Sequence, residues 1–327
     1  MKLATYIGGL LGLCLLITLV IRADFASMAQ TLVLAGWPLL WLIPYRALFF
    51  LLFAVGWFEL LRPYDQDRNA GFGYIFWVTT VREAIDRLLP VASLGGGVAA
   101  VRLLRWRGIG GASAGASVIA EILLNLIASY LFTVLGLLLL MDLGAQGHEF
   151  RGLVFALIAS LPVPILVTLL LRRGSIFERL QRFLRPLVGA TALSLGAVAL
   201  DREVRATLDR SPTLVLAGGL QMVALISGAF EVWLALRLFG HPVGVKGALI
   251  LESVTQAVRQ VAFVIPAGVG VQEAGLIMFG HMLGLSRELA LTVSMAKRMR
   301  EVLWGVVSLA SWQWVEGRRL RVAARKP

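Results

Sequence analysis

Long apolar runs separated by short basic segments make up most of the chain, and the length of each run sets what it can do. A membrane-spanning helix needs about 20 predominantly apolar residues. Residues 3–21, 32–61, 112–141, 152–171 and 213–238 reach that length, and 289–314 does so apart from one charged cluster. The first run exceeds the roughly 7–15 apolar residues of a cleaved signal peptide and reads as an anchor. Two further apolar segments are interrupted. Segment 88–104, LLPVASLGGGVAAVRLL, holds Pro90 followed by Gly95, Gly96 and Gly97, and segment 247–283 holds Pro266 followed by Gly268 and Gly270. Proline removes a backbone donor and glycine weakens a helix, so both segments read as broken helices. At membrane depth such backbone persists only where protein or a wet cavity covers it.

Composition agrees with this pattern. Hydrophobic residues make up 58% and charged residues 15%, with mean hydropathy +0.82; a soluble domain has roughly 45–50% and 25%. The 31 Lys and Arg against 19 Asp and Glu leave a net charge of +12. A nucleic-acid binder with that balance would not be this apolar, so the excess is assigned to anionic lipid headgroups. The single cysteine, Cys14, excludes an internal disulfide. His148, His241 and His281 stand apart, so neither a metal site nor a cofactor is expected.

The distribution of basic residues sets the expected topology. If both broken segments leave on the side they entered, segments 1–2, 62–87, 102–111, 172–210 and 316–327 are cytoplasmic and carry 21 Lys or Arg. Only Arg22, Arg151, Lys246 and Arg287 face the other side. Letting 88–104 cross would put the eight bases of 172–210 outside, against the positive-inside rule. The expected fold is therefore all-α and polytopic: one integral membrane domain over 1–327, with six full spans, two re-entrant broken-helix hairpins and both termini cytoplasmic. Trp57, Trp77, Trp106, Trp312 and Trp314 read as inner-face anchors and Trp37 as an outer one. In the cytoplasmic segment 172–210, Ile176, Phe177, Leu180, Phe183, Leu184 and Leu187 recur opposite Glu178, Arg179, Arg182 and Arg185, the pattern of an interfacial helix. Ser211-Pro212 reads as N-cap and first residue of the next span.

Units 32–141 and 213–314 each read as span, broken hairpin, span, in opposite orientations. Inverted repeats with matching interrupted segments are a signature of secondary transporters, whose sites lie at the midplane. The stretches LLPVASLGGGVAAVRLLRWRGIGGASAGASVIAEILLNL, IPAGVGVQEAG and AKRMREVLWG resemble the flippase-like transmembrane domain of lysylphosphatidylglycerol synthases, over roughly residues 5–315. Within that family the likeness is greatest to stand-alone hopanoid-biosynthesis-associated membrane proteins. The resemblance implies a bacterial inner-membrane protein that moves or presents an amphipathic lipid, a hopanoid or anionic phospholipid, between leaflets, with lipid-biosynthesis enzymes as further partners. Relatives often carry an acidic residue where this chain has Gly97-Val98, which argues against a carboxylate in the first hairpin. The chain ends in GRRLRVAARKP, and aminoacyl transfer is not expected of it; no enzyme activity is.

Ionisable groups at membrane depth are costly and functional by default. They are Arg46, Glu121, Glu231, Glu252, Arg259, Glu273, Lys297, Arg298, Arg300 and Glu301. Glu273 follows the GVGVQ break, where a carboxylate meets backbone amides released by the broken helix. That glycine run is no dinucleotide fingerprint, because no βαβ unit surrounds it. Arg102, Arg259, Arg298 and Arg300 are candidates to hold a phosphate or polar headgroup, with Glu121 and Asn125, one turn apart, on the same cavity. Arg102 also fits a snorkelling interfacial role, and Glu252 and Glu301 also fit a purely structural one. Asp65 and Asp67 match a glycosyltransferase metal pair, but no nucleotide-sugar domain accompanies them. The rival reading is a non-transporting membrane partner of lipid-modifying enzymes, and a third is an embedded transferase.

Overall fold

The computed structural model describes residues 33, 36–89, 95–142, 162–173, 178–179, 192–261 and 271–324. Among these residues there are ten α-helices and two short 3-10 turns, and no strand. The helices are α1 (Leu42–Leu61), α2 (Phe72–Leu88), α3 (Gly95–Trp106), α4 (Gly111–Asp142), α5 (Pro162–Arg173), α6 (Ala192–Leu208), α7 (Ser211–Leu238), α8 (Val245–Val261), α9 (Val271–Met282) and α10 (Arg287–Ala324). Trp37–Tyr64, Gly111–Asp142 and Ser211–Leu238 are long and apolar enough to cross a membrane. They coincide with the runs at 32–61, 112–141 and 213–238. The run at 289–314 lies within α10, which continues for 38 residues, roughly 57 Å at 1.5 Å per residue. The run 3–21, residues 152–161, most of 176–187, and the break residues Pro90, Pro266, Gly268 and Gly270 lie outside the described residues.

Helices α2 and α3 fold back on each other. The Tyr74 hydroxyl donates to the Leu103 carbonyl at 2.7 Å, and the Gly96 amide donates to Asp86 Oδ1 at 2.9 Å. Leu89, which ends α2, has φ −105° and ψ 145°, the extended backbone that a following proline favours. Helices α8 and α9 fold back in the same way, with Gly247 against Leu283 and Gly275 against Thr255 and Val258. In both hairpins the first limb has 17 residues and the second 12. Each is preceded by a long helix, α1 or α7, and followed by another, α4 or α10.

The hairpins are exchanged between the two halves of the chain. Limb α2 lies along α10, where Leu88 seats on Gly305 and Trp77 Nε1 donates to Ser311 Oγ at 2.9 Å. Limb α8 lies along α4, where Ser253 packs against Gly136 and Lys246 pairs with Asp142 at the helix end. Helices α1 and α7 run antiparallel: a Cβ on Gly56 would sit 3.3 Å from the Ala217 backbone, and the Tyr45 hydroxyl donates to the Ser227 carbonyl at 2.9 Å. Two apolar cores occupy opposite ends of α4. One gathers Trp57, Ile75, Val78, Leu103 and Val118, the other Leu137, Val232, Ile250, Leu251 and Phe279.

Several sequence expectations are corrected. Residues 72–87, expected in a cytoplasmic segment, form the first limb of the hairpin inside the bundle, because Thr79, Thr80, Val78 and Ile85 bury one face of α2. Gly95, Gly96 and Gly97 lie on the first turn of α3 rather than in the break. Gly96 serves close approach instead: a Cβ there would stand 2.5 Å from both the Arg82 carbonyl and Asp86 Oδ2. Trp57 is not an interfacial anchor but is 2% exposed, and its Nε1 donates to Ser117 Oγ at 3.3 Å, which removes the need for water. Ser211 is the first helical residue, with Arg210 flanking it and Pro212 just inside. Within 172–210, helix α6 packs Val204 and Leu208 on Ala116 and Ala120 of α4, so that part lies against a span. Trp37 is 73% exposed, as an interfacial anchor requires.

Candidate functional site

Charge accumulates where the two hairpins meet α10. On α2, Glu83 and Arg87 stand four residues apart and pair at 2.9 Å, the favourable order on a helix. Arg87 reaches Glu301 of α10 at 4.0 Å, and the adjacent Arg300 meets Glu301 at 3.5 Å. Arg300 also pairs with Glu231 of α7. Glu231 lies 3.9 Å from Arg46 of α1, and Arg46 donates to Glu83 at 3.3 Å. The six side chains therefore form a closed ring of alternating charge, Arg46, Glu83, Arg87, Glu301, Arg300 and Glu231. A seventh, Arg259 near the end of limb α8, joins it through Glu301 at 3.8 Å.

The ring is deeply placed. Arg300 and Glu231 are each 1% exposed and Arg46 is 7% exposed. Isolated charges at such depth cost many kcal/mol, which pairing and hydrogen bonding offset. The Arg46 guanidinium also lies 3.6 Å above the Phe49 ring, an attraction that strengthens when water is excluded. Five of the six ring residues line a narrow cavity of about 20 Å³, room for about one water, with Phe50 and Trp304 as its apolar wall. Trp304 is fixed by its Nε1 bond to the Ile43 carbonyl at 3.0 Å and by an edge-on contact with Phe50. Beside the ring, Trp41, Pro44, Tyr45, Leu234 and Leu238 line an apolar groove. Pro44 and Tyr45 immediately precede Arg46, and Leu234 follows Glu231 by one turn, so charged cavity and apolar groove are neighbours.

Two further pairs flank the ring. Lys297 of α10 pairs with Glu252 of α8 one turn from the Arg259–Glu301 contact, which places Glu252 and Arg259 on one face of α8, as their seven-residue spacing implies. Arg82 of α2 pairs with Glu121 of α4, whose carboxylate also accepts Gln221 Nε2 at 3.4 Å. Asn125, one turn on, accepts from Ser129 Oγ at 3.4 Å.

Of the candidates read from the sequence, Arg259 and Arg300 come together at the ring, and Glu301 is its most connected acid. Glu121 and Asn125 sit beside it on α4. Arg298 is half-buried on α10, and Glu273 lies on the first turn of α9. Arg102 is elsewhere: it pairs with Glu316 and stacks on Trp106 at the end of the bundle where α3 and α10 finish. Asp65 is a loop cap, accepting the Asn69 and Ala70 amides at 2.9 and 2.8 Å. Glu83 and Arg87 were missed because their segment reads as a cytoplasmic loop. The signal was available: Arg82, Glu83, Asp86 and Arg87 recur one helical turn apart within VTTVREAIDRLL. The first hairpin also does hold carboxylates, Glu83 and Asp86, on the limb before Gly97-Val98. Among the described residues no cluster of His, Cys, Asp or Glu could hold a metal.

Exchanged helical hairpins, apolar spanning helices and a buried charged centre define a polytopic helical membrane protein. The chain belongs to the family described as the lysylphosphatidylglycerol synthase TM region, whose model matches residues 6–309. None of the curated proteins and none of the solved structures compared with it matches. Family and spans together make it a multi-pass membrane protein associated with membrane lipids.

Proposed function

We propose that the chain is a lipid translocase of the bacterial inner membrane, moving an amphipathic lipid between leaflets without chemical conversion. The observation that carries this reading is the meeting of both hairpins on one carboxylate: Arg87 of the first and Arg259 of the second approach Glu301 at 4.0 and 3.8 Å. Ion pairs at such a joint can exchange partners, and an element with two such arrangements is what alternating access needs. The apolar groove beside the charged ring supports an amphipathic substrate, with the tail in the groove and the headgroup at the ring once its ion pairs part.

In this reading the two hairpin units are inverted relatives, and the arginine-rich end of the bundle, with Arg62, Arg105, Arg107, Arg202, Arg210 and Arg318, faces the cytoplasm. Movement is downhill or coupled to protons, since the sequence carries no Walker motif. Reconstituted vesicles test it. The full chain should accelerate leaflet exchange of a labelled hopanoid or phospholipid at least tenfold over empty vesicles. No acceleration with any lipid offered would overturn the reading and favour a partner of lipid-modifying enzymes.

A further inference from the structure

The cations of the ring are arginines, and a guanidinium keeps its proton, so the ring can exchange partners but its bases cannot change charge. Lys297 of α10 is chemically different. The lysines of the chain are Lys2, Lys246, Lys297 and Lys326, and of these Lys297 alone stands inside an apolar run. It is 3% exposed and pairs with Glu252 of α8. An ammonium is the buried cation that can give up a proton.

The three helices around this pair are shaped to it. Gly228 of α7 leaves the space that the carboxylate needs, since a Cβ there would stand 3.3 Å from Glu252 Oε1. One turn from Glu252 on the same face of α8, Thr255 is 2% exposed, and its Oγ1 has no hydrogen-bond partner among the described residues. Gly275 of α9 faces Thr255, and one turn before it stands Gln272, which is 1% exposed. Gln272 Nε2 donates to Ser294 Oγ at 3.1 Å, one turn before Lys297, while its Oε1 has no partner among the described residues. Hydroxyl and amide groups thus run from α9 to both members of the pair, and unfilled buried groups of this kind take water, the carrier a proton needs. The other charges on the packed helices are engaged: Arg259 with Glu301, Arg300 with Glu231, and Glu121 of α4 with Arg82. Arg298 follows Lys297 on α10, and Glu273 lies on the first turn of α9.

We infer that the Lys297–Glu252 pair is a proton-binding site that couples movement of the second hairpin to a proton gradient. The inference rests on the translocase reading and supplies its energy source. The cycle balances in three steps. Glu252 takes a proton from water on one side of the membrane, which cancels its charge and frees α8 from α10. Lys297 Nζ releases a proton to the other side, leaving a neutral amine beside a carboxylic acid. The carboxyl proton then passes to the amine and the ion pair is restored. One proton has crossed, and no group is oxidised or reduced. In the second state neither group is charged, so the helices part without stranding a buried charge. An arginine at position 297 could hold Glu252 but could not complete the second step.

The experiment uses the full chain in phosphatidylcholine vesicles containing labelled phosphatidylglycerol, with pyranine inside, the membrane potential clamped and a pH difference of about one unit across the bilayer. Wild type should admit protons about tenfold faster than empty vesicles. It should also drive the label about threefold toward one leaflet, in the opposite sense when the gradient is reversed. Lys297→Arg should lose both effects, and Lys246→Arg, in the exposed pair with Asp142, should lose neither. Wild-type proton entry at the empty-vesicle rate overturns the inference. So does entry through Lys297→Arg at the wild-type rate, or a loss with Lys246→Arg equal to that expected of Lys297→Arg. If Lys297→Arg does not fold, Glu252→Gln decides the matter, because it copies the protonated acid and cannot pass a proton on; wild-type entry through it overturns the inference. Accelerated exchange that ignores the gradient sinks this inference and leaves the translocase reading standing. Proton entry that depends on Lys297 without lipid exchange does the reverse.

Discussion

Replacing Glu231 by Gln removes one charge from the ring while keeping its shape and most of its packing. Among the described residues, Glu231 is the one acidic partner of Arg300 outside its own helix, and it lies 3.9 Å from Arg46. At an effective dielectric of about 20, a unit charge pair at 3.9 Å is worth about 4 kcal/mol before desolvation is counted. Breaking a buried pair from one side costs about 3–5 kcal/mol, because the remaining charge stays buried and unmatched. Glu231→Gln is therefore expected to destabilise the protein by about 3–5 kcal/mol. Adding Arg46→Gln removes one of the stranded cations and should restore at least half of that loss, the non-additivity expected of groups in one network. The assay is reversible unfolding in mixed micelles, with wild type, both single variants and the double variant. A Glu231→Gln cost below about 1 kcal/mol, or strictly additive losses in the double variant, would show that the ring is not an energetic unit.

Three further substitutions test the helix contacts. Gly96→Ala places a Cβ 2.5 Å from the Arg82 carbonyl and from Asp86 Oδ2, so it should separate the limbs of the first hairpin and cost about 1–3 kcal/mol in the same unfolding measurement. Trp57→Phe keeps the buried ring but removes the N–H donated to Ser117 Oγ, which retains its own bond to the Ala114 carbonyl, with an expected loss of about 1 kcal/mol and a change in the tryptophan fluorescence of the folded state. Gly305→Leu collides with Leu88 and should push α2 off α10, seen as faster hydrogen exchange over 72–88.

The sequence made the apolar architecture legible and left most of the charged centre hidden, for a physical reason. Length and hydropathy define a span whatever surrounds it, so α1, α4 and α7 follow from their runs alone. The second hairpin was equally plain, since 247–283 and the observed limbs 245–282 nearly coincide. The first was displaced because α2 carries Arg82, Glu83, Asp86 and Arg87, and a charged helix resembles a loop until its partners are known. Those partners lie on α1, α4 and α10, from 37 to more than 200 residues away, and no local pattern contains them. Arg259, Arg300 and Glu301 were visible because each stands within an otherwise apolar run. Arg102 stood out for the same reason, yet its position in α3 carries it to the end of the bundle and to Glu316. Trp57 shows the same limit: an aromatic near a predicted membrane face reads as an anchor, and only the opposing Ser117 makes burial favourable.

Glu301 is where the account concentrates, since it joins both hairpins. The most direct measurement is leaflet exchange of labelled phosphatidylglycerol in vesicles containing either the wild-type chain or Glu301→Gln, with folding of both verified by thermal unfolding. The account expects exchange at least tenfold above empty vesicles for wild type, and a fall to the empty-vesicle rate for a folded Glu301→Gln, which unties both hairpins. Exchange by Glu301→Gln at the wild-type rate would contradict it.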